Sequence, residues 1–93
     1  MHKRILVQLR QRIRTRAYLL TVHADEEMDA DELSIYDIEQ CILTGQIVER
    51  QKDSKTGEWK CLVKGATLQR DQLFLVAKLS PTRKLVSITV YVE

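Results

Sequence analysis

The second half of the chain constrains the fold most, because after Gly45 it consists of short apolar–polar alternations divided by polar turns. Alternation with a period of two is the pattern of a β-strand with one buried face, and short turns between successive strands favour an antiparallel meander. The third apolar run is apolar on both faces, which predicts a central strand. We therefore predict a four-stranded antiparallel sheet over residues 46–93, with strands at Gln46–Lys52, Trp59–Gly65, Leu73–Leu79 and Leu85–Val92.

The residues before the sheet follow helical spacing instead. Over residues 21–45 we predict a short helix that opens at His23, a turn, and a second helix. Ser34 followed three residues later by Asp37 has the form of a capping box, and Gly45 stands where a left-handed C-cap is expected.

The N-terminal segment, residues 1–16, is predicted to form a basic amphipathic helix with one apolar face. Residues 17–22 suit either a strand or an extended connector. A chain of 93 residues allows one modest core. We therefore predict a single α+β domain, residues 1–93, with N-terminal helices packed on the sheet.

Charge is segregated along the chain, although the net charge is only +2. Residues 1–16 carry six basic side chains and no acid, whereas residues 17–49 carry nine acids and no Lys or Arg. The local fields therefore say more about partners than the net charge does. Two interpretations of the basic helix stay open: a solvated helix docked on the sheet, or an electrostatic handle for RNA or an acidic partner.

Several classes of protein are disfavoured by what the sequence lacks. No apolar run approaches the ~20 residues that span a membrane, and the start lacks the apolar core of a signal peptide, so we expect a cytoplasmic protein. Cys41 and Cys61 form no C-x-x-C pair, and two buried thiols are favoured over a disulfide. No glycine-rich phosphate loop and no zinc-ligand cluster occurs, so neither a cofactor nor a metal is expected.

Five short motifs occur in an order and spacing that resemble a family of small bacterial domains. The motifs are His23–Met28 (His-Ala-Asp-Glu-Glu-Met), Leu33–Ile38, Thr44–Glu49, Lys60–Gly65 and Ile88–Tyr91. That family is similar to the RelE/ParE superfamily, the toxic halves of bacterial toxin–antitoxin pairs, and some of its members occur beside a small zinc-ribbon antitoxin. The resemblance covers about residues 18–92. It implies a RelE-like fold and an antitoxin partner and, less strongly, a type II toxin that acts as a ribosome-dependent messenger-RNA endoribonuclease.

RNA cleavage by 2′-hydroxyl attack needs no metal. It needs a group that takes or orients the hydroxyl proton, a group that protonates the leaving 5′-oxygen, and cations that stabilise the charge of the transition state. RelE-like ribonucleases use Lys and Arg on the sheet with a Tyr or His near the end. The resemblance therefore implies catalytic roles for His23 and Tyr91, and RNA binding by Lys60, Lys64 and Arg70. Each of these residues also has a purely structural interpretation, as a sheet aromatic, a solvated cation or a helix-start histidine.

The chain also departs from the family's pattern. Glu27 and Asp31 stand where many members have arginine, and Phe74 stands where many have a second histidine. Two alternatives therefore remain open: a catalytically inactive RelE-fold module that binds a partner protein, and a non-enzymatic RNA binder. Convergence of His23, Lys60, Arg70 and Tyr91 on one concave face would favour the enzyme. Scatter of these side chains, or Glu27 and Asp31 on the same face, would favour the binding module.

Overall fold

The computed structural model describes residues 3–52, 54–82 and 84–92, and it shows a mixed α+β fold in which three helices lie on a five-stranded sheet. The helices are α1 (Lys3–Arg14), α2 (Val22–Ala30) and α3 (Ile35–Thr44). The strands are β1 (Tyr18–Leu20), β2 (Gln46–Lys52), β3 (Trp59–Ala66), β4 (Gln72–Leu79) and β5 (Leu85–Val92). The predicted α+β class is confirmed, but the predicted count of four strands is wrong.

The strands lie in the order β1-β5-β4-β3-β2. Strands β2 to β5 pair antiparallel with their neighbours in sequence, so the meander and the central position of β4 are confirmed. The additional strand is β1, which pairs parallel to β5, with Tyr18 opposite Leu85. Residues 17–22, predicted as a strand or a connector, thus contain β1 and the start of α2. A pairing of three residues with a distant strand has no local turn signal, and for that reason the sequence pattern could not reveal it.

The helices begin and end near the predicted positions. The chain leaves α1 after Arg14, earlier than the predicted helix over 1–16, and Arg16 has a φ of 59° in the left-handed region. Residues 1 and 2 lie outside the described part of the chain. The predicted capping box at the start of α3 is confirmed, since the Asp37 carboxylate accepts the Ser34 N–H at 2.9 Å.

The end of α3 differs from its prediction. Gly45 has φ −90° and ψ −171°, which is extended, so the predicted left-handed cap is wrong. A glycine is needed there for space, because a Cβ would lie 2.4 Å from the Cys41 carbonyl oxygen and 2.5 Å from that of Lys64. The guanidinium of Arg10 in α1 donates to the carbonyl oxygens of Ile42 at 3.0 Å and Gly45 at 2.9 Å, which ties α1 to the end of α3.

The helices lie on one side of the sheet, which we call the covered face; the other side is the open face. On the covered face β3, β4 and β5 contribute Val63, Leu75 and Val90, all with no exposed surface. These side chains form one core with buried residues of all three helices. By strand alternation, the open face consists of Gln46, Glu49, Gln51, Lys60, Leu62, Lys64, Ala66, Gln72, Phe74, Val76, Lys78, Val86, Thr89 and Tyr91.

A β-bulge in β5 decides which face Tyr91 occupies. The register of β5 against β4 shifts between Ser87 and Thr89, so Ile88 is an extra residue. Strict alternation predicts Tyr91 in phase with Thr89 and Ser87. The phase with Thr89 is confirmed, whereas the phase with Ser87 is wrong. Ser87 is fully buried on the covered face, whereas Tyr91 is 40% exposed on the open face.

Two further expectations concern cysteines and membranes. Cys41 and Cys61 are both free and buried, as predicted. Among the described residues, no helix has the length and apolarity needed to cross a membrane.

Candidate nucleic-acid interface

A row of side chains crosses the open face from β3 to β5. The register places Lys64 opposite Phe74, and Phe74 opposite Tyr91. The rings of Phe74 and Tyr91 stack, with centroids 5.1 Å apart and planes 12° from parallel. Because neighbouring strands are about 4.8 Å apart, the backbones of Lys64 and Tyr91 are separated by about 10 Å. The row is therefore an aromatic surface with a cation at one end.

The three predicted RNA-binding cations lie near this row. Lys64 and Arg70 line one shallow depression together with Gln46 and Gln72, and its volume is about 570 Å³. Lys60 lies on the same face of β3, about 13 Å from Lys64 along the strand at the usual rise per residue. The structure thus places Lys60 and Lys64 on the face of the sheet that carries Tyr91. Arg70 lies at the rim of that face, on a depression that also reaches Thr44 and Gly45 at the end of α3.

The loop between β3 and β4 positions Arg70. Arg70 has a φ of 70°, and its N–H donates to the Thr67 carbonyl at 3.0 Å. The hydroxyl of Thr67, which is buried, accepts the Asp71 N–H at 3.0 Å. The loop is also tied to α3, because the Asp37 carboxylate accepts the Leu68 N–H at 2.9 Å. These bonds fix the backbone that carries Arg70.

Asp37 therefore has a role that the sequence prediction missed. Partial burial raises the pKa of its carboxyl, but hydrogen bonds from the N–H groups of Ser34 and Leu68 outweigh burial and hold the pKa below its ordinary value. The capping-box pattern indicated the bond to Ser34. The bond to Leu68 depends on the tertiary packing of α3 against the β3–β4 loop, and no local pattern encodes it.

His23 lies in the helical layer and not among the side chains of the open face. Its Nε2 is 3.3 Å from Glu27 Oε1, and its side chain is 65% exposed. The same Glu27 oxygen accepts the Val90 N–H of β5 at 3.0 Å. His23 thus stands beside the outer edge of β5, the strand that carries Tyr91.

The acidic residues that depart from the family's pattern do not join the open-face row. Glu27 binds the edge of β5, and Asp31 is the C-cap of α2. Asp31 lines a different depression, of about 530 Å³, together with Asp37 and Asp71. The repulsion of RNA expected from Glu27 and Asp31 is therefore not centred on the row of Lys64, Phe74 and Tyr91.

Neither cysteine is suited to nucleophilic chemistry. Burial raises the pKa of the Cys41 thiol to about 12. Burial also raises the pKa of Cys61, although Arg50 opposes that rise. A thiol that stays protonated is a poor nucleophile, so neither Cys41 nor Cys61 is a candidate nucleophile.

The open face has the chemistry to hold an unpaired nucleotide. Exposed aromatic rings stack on bases, and nearby cations contact phosphates. The sequence prediction treated Phe74 only as a departure from the family's pattern. Its partnership with Tyr91 follows from the register of β4 and β5 and from the bulge at Ile88, which the sequence pattern did not reveal.

The model of a sequence family described as a domain of unknown function, DUF4258, matches residues 20–92. The matched region contains all five predicted site residues and leaves out α1. No curated protein and no solved structure matches the chain.

Proposed function

The chain belongs to the DUF4258 family, and we propose that it is a RelE-like toxin that binds single-stranded RNA on the open face and cleaves it as a metal-independent endoribonuclease. One observation carries the proposal: Lys64, Phe74 and Tyr91 form a row in which a stacked aromatic pair lies beside a cation, on a sheet face that bears no helix. Sheets that stack bases on surface aromatics are an established mode of single-stranded RNA recognition.

Binding would divide between bases and phosphates. The Phe74–Tyr91 pair would stack on one or two unpaired bases. Lys64 and Arg70, on the depression beside the pair, would contact the adjoining phosphates, with Lys60 further along β3. Because these contacts are largely ionic, affinity would fall steeply with salt.

Cleavage would proceed by attack of the 2′-oxygen on the adjacent phosphorus. The bond from phosphorus to the 5′-oxygen breaks, which leaves a 2′,3′-cyclic phosphate and a free 5′-hydroxyl. In this proposal the Tyr91 hydroxyl gives its proton to the leaving oxygen. His23 accepts the proton of the attacking hydroxyl where the RNA passes from the open face round the outer edge of β5, because His23 stands beside that edge and not on the open face. Lys64 and Arg70 stabilise the negative charge of the transition state. An antitoxin protein is the partner that would hold such an activity in check.

The test is induced expression in a bacterial host, with growth and RNA ends measured together. Wild-type protein should arrest growth and produce messenger-RNA fragments that end in a cyclic phosphate. Tyr91→Phe should relieve the arrest at equal abundance, and Tyr36→Phe, which removes the hydroxyl of an exposed tyrosine on α3, should not. Soluble, folded wild-type protein that neither arrests growth nor cleaves RNA would overturn the proposal.

A second candidate function is a catalytically inactive module of the same fold. It is favoured by the position of His23, which contacts Glu27 in the helical layer and does not converge with Tyr91 on the open face. Such scatter of the candidate side chains is what we expect of a binding module. Purified wild-type protein distinguishes the candidates: RNA binding without cleavage indicates a non-enzymatic RNA binder, and no RNA binding indicates a module for protein partners.

A further inference from the structure

The end of the β2–β3 hairpin carries the chain's single tryptophan in an exposed position. Trp59 pairs with Lys52 across the hairpin and is 51% exposed. The Arg50 guanidinium carbon lies 4.9 Å from the centroid of the Trp59 ring, and Lys52 Nζ lies 5.9 Å from it. Both distances are within the range of cation–π contacts. The cluster therefore offers an indole surface and two cations to solvent.

The surroundings of Trp59 support its ring and leave the cluster positive. Trp59 lines a cavity of about 270 Å³ whose apolar wall includes Leu9 of α1. The acidic neighbour in that cavity, Glu58, is 2.6 Å from Lys78 Nζ. Because Lys78 pairs with Glu58, Glu58 is engaged away from Arg50 and Lys52. A half-exposed aromatic beside two cations is the combination that binds bases and backbone of single-stranded nucleic acid.

The Trp59 ring lies on the covered side of the sheet, because Trp59 alternates in phase with the buried Cys61 and Val63. Its position at the end of β3 leaves a path round that end to the open-face row. Trp59 and Lys64 are five residues apart on β3, which corresponds to about 17 Å along the strand. Lys60, the direct neighbour of Trp59, faces the open side between them. A single strand held at Lys64 and Phe74 would pass Lys60 and round the end of β3 to arrive at Trp59.

We infer that Trp59, with Arg50 and Lys52, is a second base-stacking site for single-stranded RNA. This inference rests on the proposed function, because it extends the RNA that the open face binds. In this inference the β2–β3 hairpin lengthens the stretch of RNA that the protein binds, and it takes no part in the cleavage chemistry.

Trp59 fluorescence tests the inference directly, because it reports this cluster alone. The probe is an unstructured oligonucleotide of adenosine and cytosine, about ten nucleotides long, within the usual site size of small single-strand binders. Its 2′-O-methyl groups remove the attacking hydroxyl, so no cleavage disturbs the titration. A fluorescein label gives total binding by anisotropy. We expect Trp59 emission to be quenched over the same range of probe concentration in which anisotropy rises.

Variants measure the contribution of the ring. Trp59→Ala should weaken binding by about 5- to 150-fold, the range of one lost base stack, whereas Trp59→Phe should retain most of the affinity. Tyr36→Ala, which removes another exposed aromatic, 62% exposed on α3, should bind as wild type does.

The outcomes separate this inference from the proposed function. Binding seen by anisotropy, with unchanged Trp59 emission in the wild type, would overturn the second stacking site and leave the open-face proposal standing. If the probe does not bind at all, both fail. The wild-type fluorescence needs no substitution, so a Trp59→Ala protein that fails to fold does not affect it.

Discussion

The same strands build the covered and open faces of the sheet, yet the side chains of the two faces differ in burial and in chemical type. Leu75 and Val76 are neighbours in β4; Leu75 is fully buried beneath the helices, whereas Val76 is partly exposed. The covered face is selected for volume and close fit, because it forms the core. The open face keeps aromatic and charged groups available to a ligand. One layer of helices is thus enough to complete the core on the covered face, and no described helix lies on the open face.

The largest change in the free energy of unfolding is expected from a cavity made on the covered face. Leu75→Ala should lower the free energy of unfolding by about 2–5 kcal/mol, since the buried side chain leaves a void that the core cannot fully close. Val76→Ala, one residue away on the open face, should cost less than about 1 kcal/mol. Urea denaturation measures both. Equal losses would mean that the open face is also part of a packed core, which contradicts the distinction between the faces.

A smaller loss of unfolding free energy is expected from crowding the contact between α3 and β3. A Cβ on Gly65 would lie 2.4 Å from the Cys41 carbonyl oxygen and 2.9 Å from its Sγ. Gly65→Ala should therefore force α3 from the sheet and cost about 1–3 kcal/mol. Gly57→Ala is the control for a glycine replaced without crowding, because nothing lies within 4 Å of its added Cβ. Any loss of unfolding free energy there comes from its φ of 73°, which is strained for alanine. A Gly65→Ala protein as stable as wild type would show that the two elements are further apart than described.

The difference between the faces also explains how much of the fold the sequence could predict. Local sequence patterns predict the strands β2 to β5 and the capping box at Ser34, and both predictions are confirmed. The parallel partner of Tyr18 lies far along the chain, and the bulge at Ile88 reverses the alternation that the sequence suggests. Both features depend on pairing between strands, so residue spacing alone could not supply them.

The candidate site was predictable only in its residue types. The resemblance to a family identified Lys60, Lys64, Arg70, Tyr91 and His23. The structure places Lys60, Lys64 and Tyr91 on one face of the sheet, Arg70 on a depression beside Lys64, and His23 in the helical layer. The stacking of Phe74 on Tyr91 was missed, because it requires the register of three strands to be known. Glu27 was predicted to matter as a repulsive charge, whereas its carboxylate accepts the Val90 N–H at the edge of β5.

On the open face, substitutions should change binding more than stability. Phe74→Leu keeps an apolar side chain but removes the aromatic stack, so affinity for single-stranded RNA should fall by about 1–3 kcal/mol. The free energy of unfolding should change by less than about 1.5 kcal/mol, as is usual for hydrophobic replacements of similar size. Anisotropy and urea denaturation on the same preparation measure the two quantities. A large loss of stability with unchanged affinity would show that Phe74 serves packing and not recognition.

The smallest effect concerns the hydroxyl that fastens β1 to the helical layer. The Tyr18 hydroxyl donates to Glu39 Oε2 of α3 at 2.7 Å. Burial, and then the hydrogen bond to Glu39, raise the pKa of Tyr18 from 10.0 to about 12. At neutral pH, Tyr18→Phe should cost about 1 kcal/mol, the usual net value of such a bond. Tyr91→Phe removes the same atom from the open face and should leave stability nearly unchanged.

The pH dependence identifies the origin of that difference. Because the folded state favours the protonated phenol, the unfolded chain releases this proton first, near its ordinary pKa of 10.0. The stabilisation by Tyr18 is therefore fully present below about pH 10 and is lost as the pH rises through the folded pKa of about 12. Urea denaturation of wild type and Tyr18→Phe across this range should show the difference in unfolding free energy shrink with pH. A difference that stayed constant would assign the effect of the substitution to packing around β1, and the hydrogen bond to Glu39 would then contribute nothing to holding β1 beneath the helices.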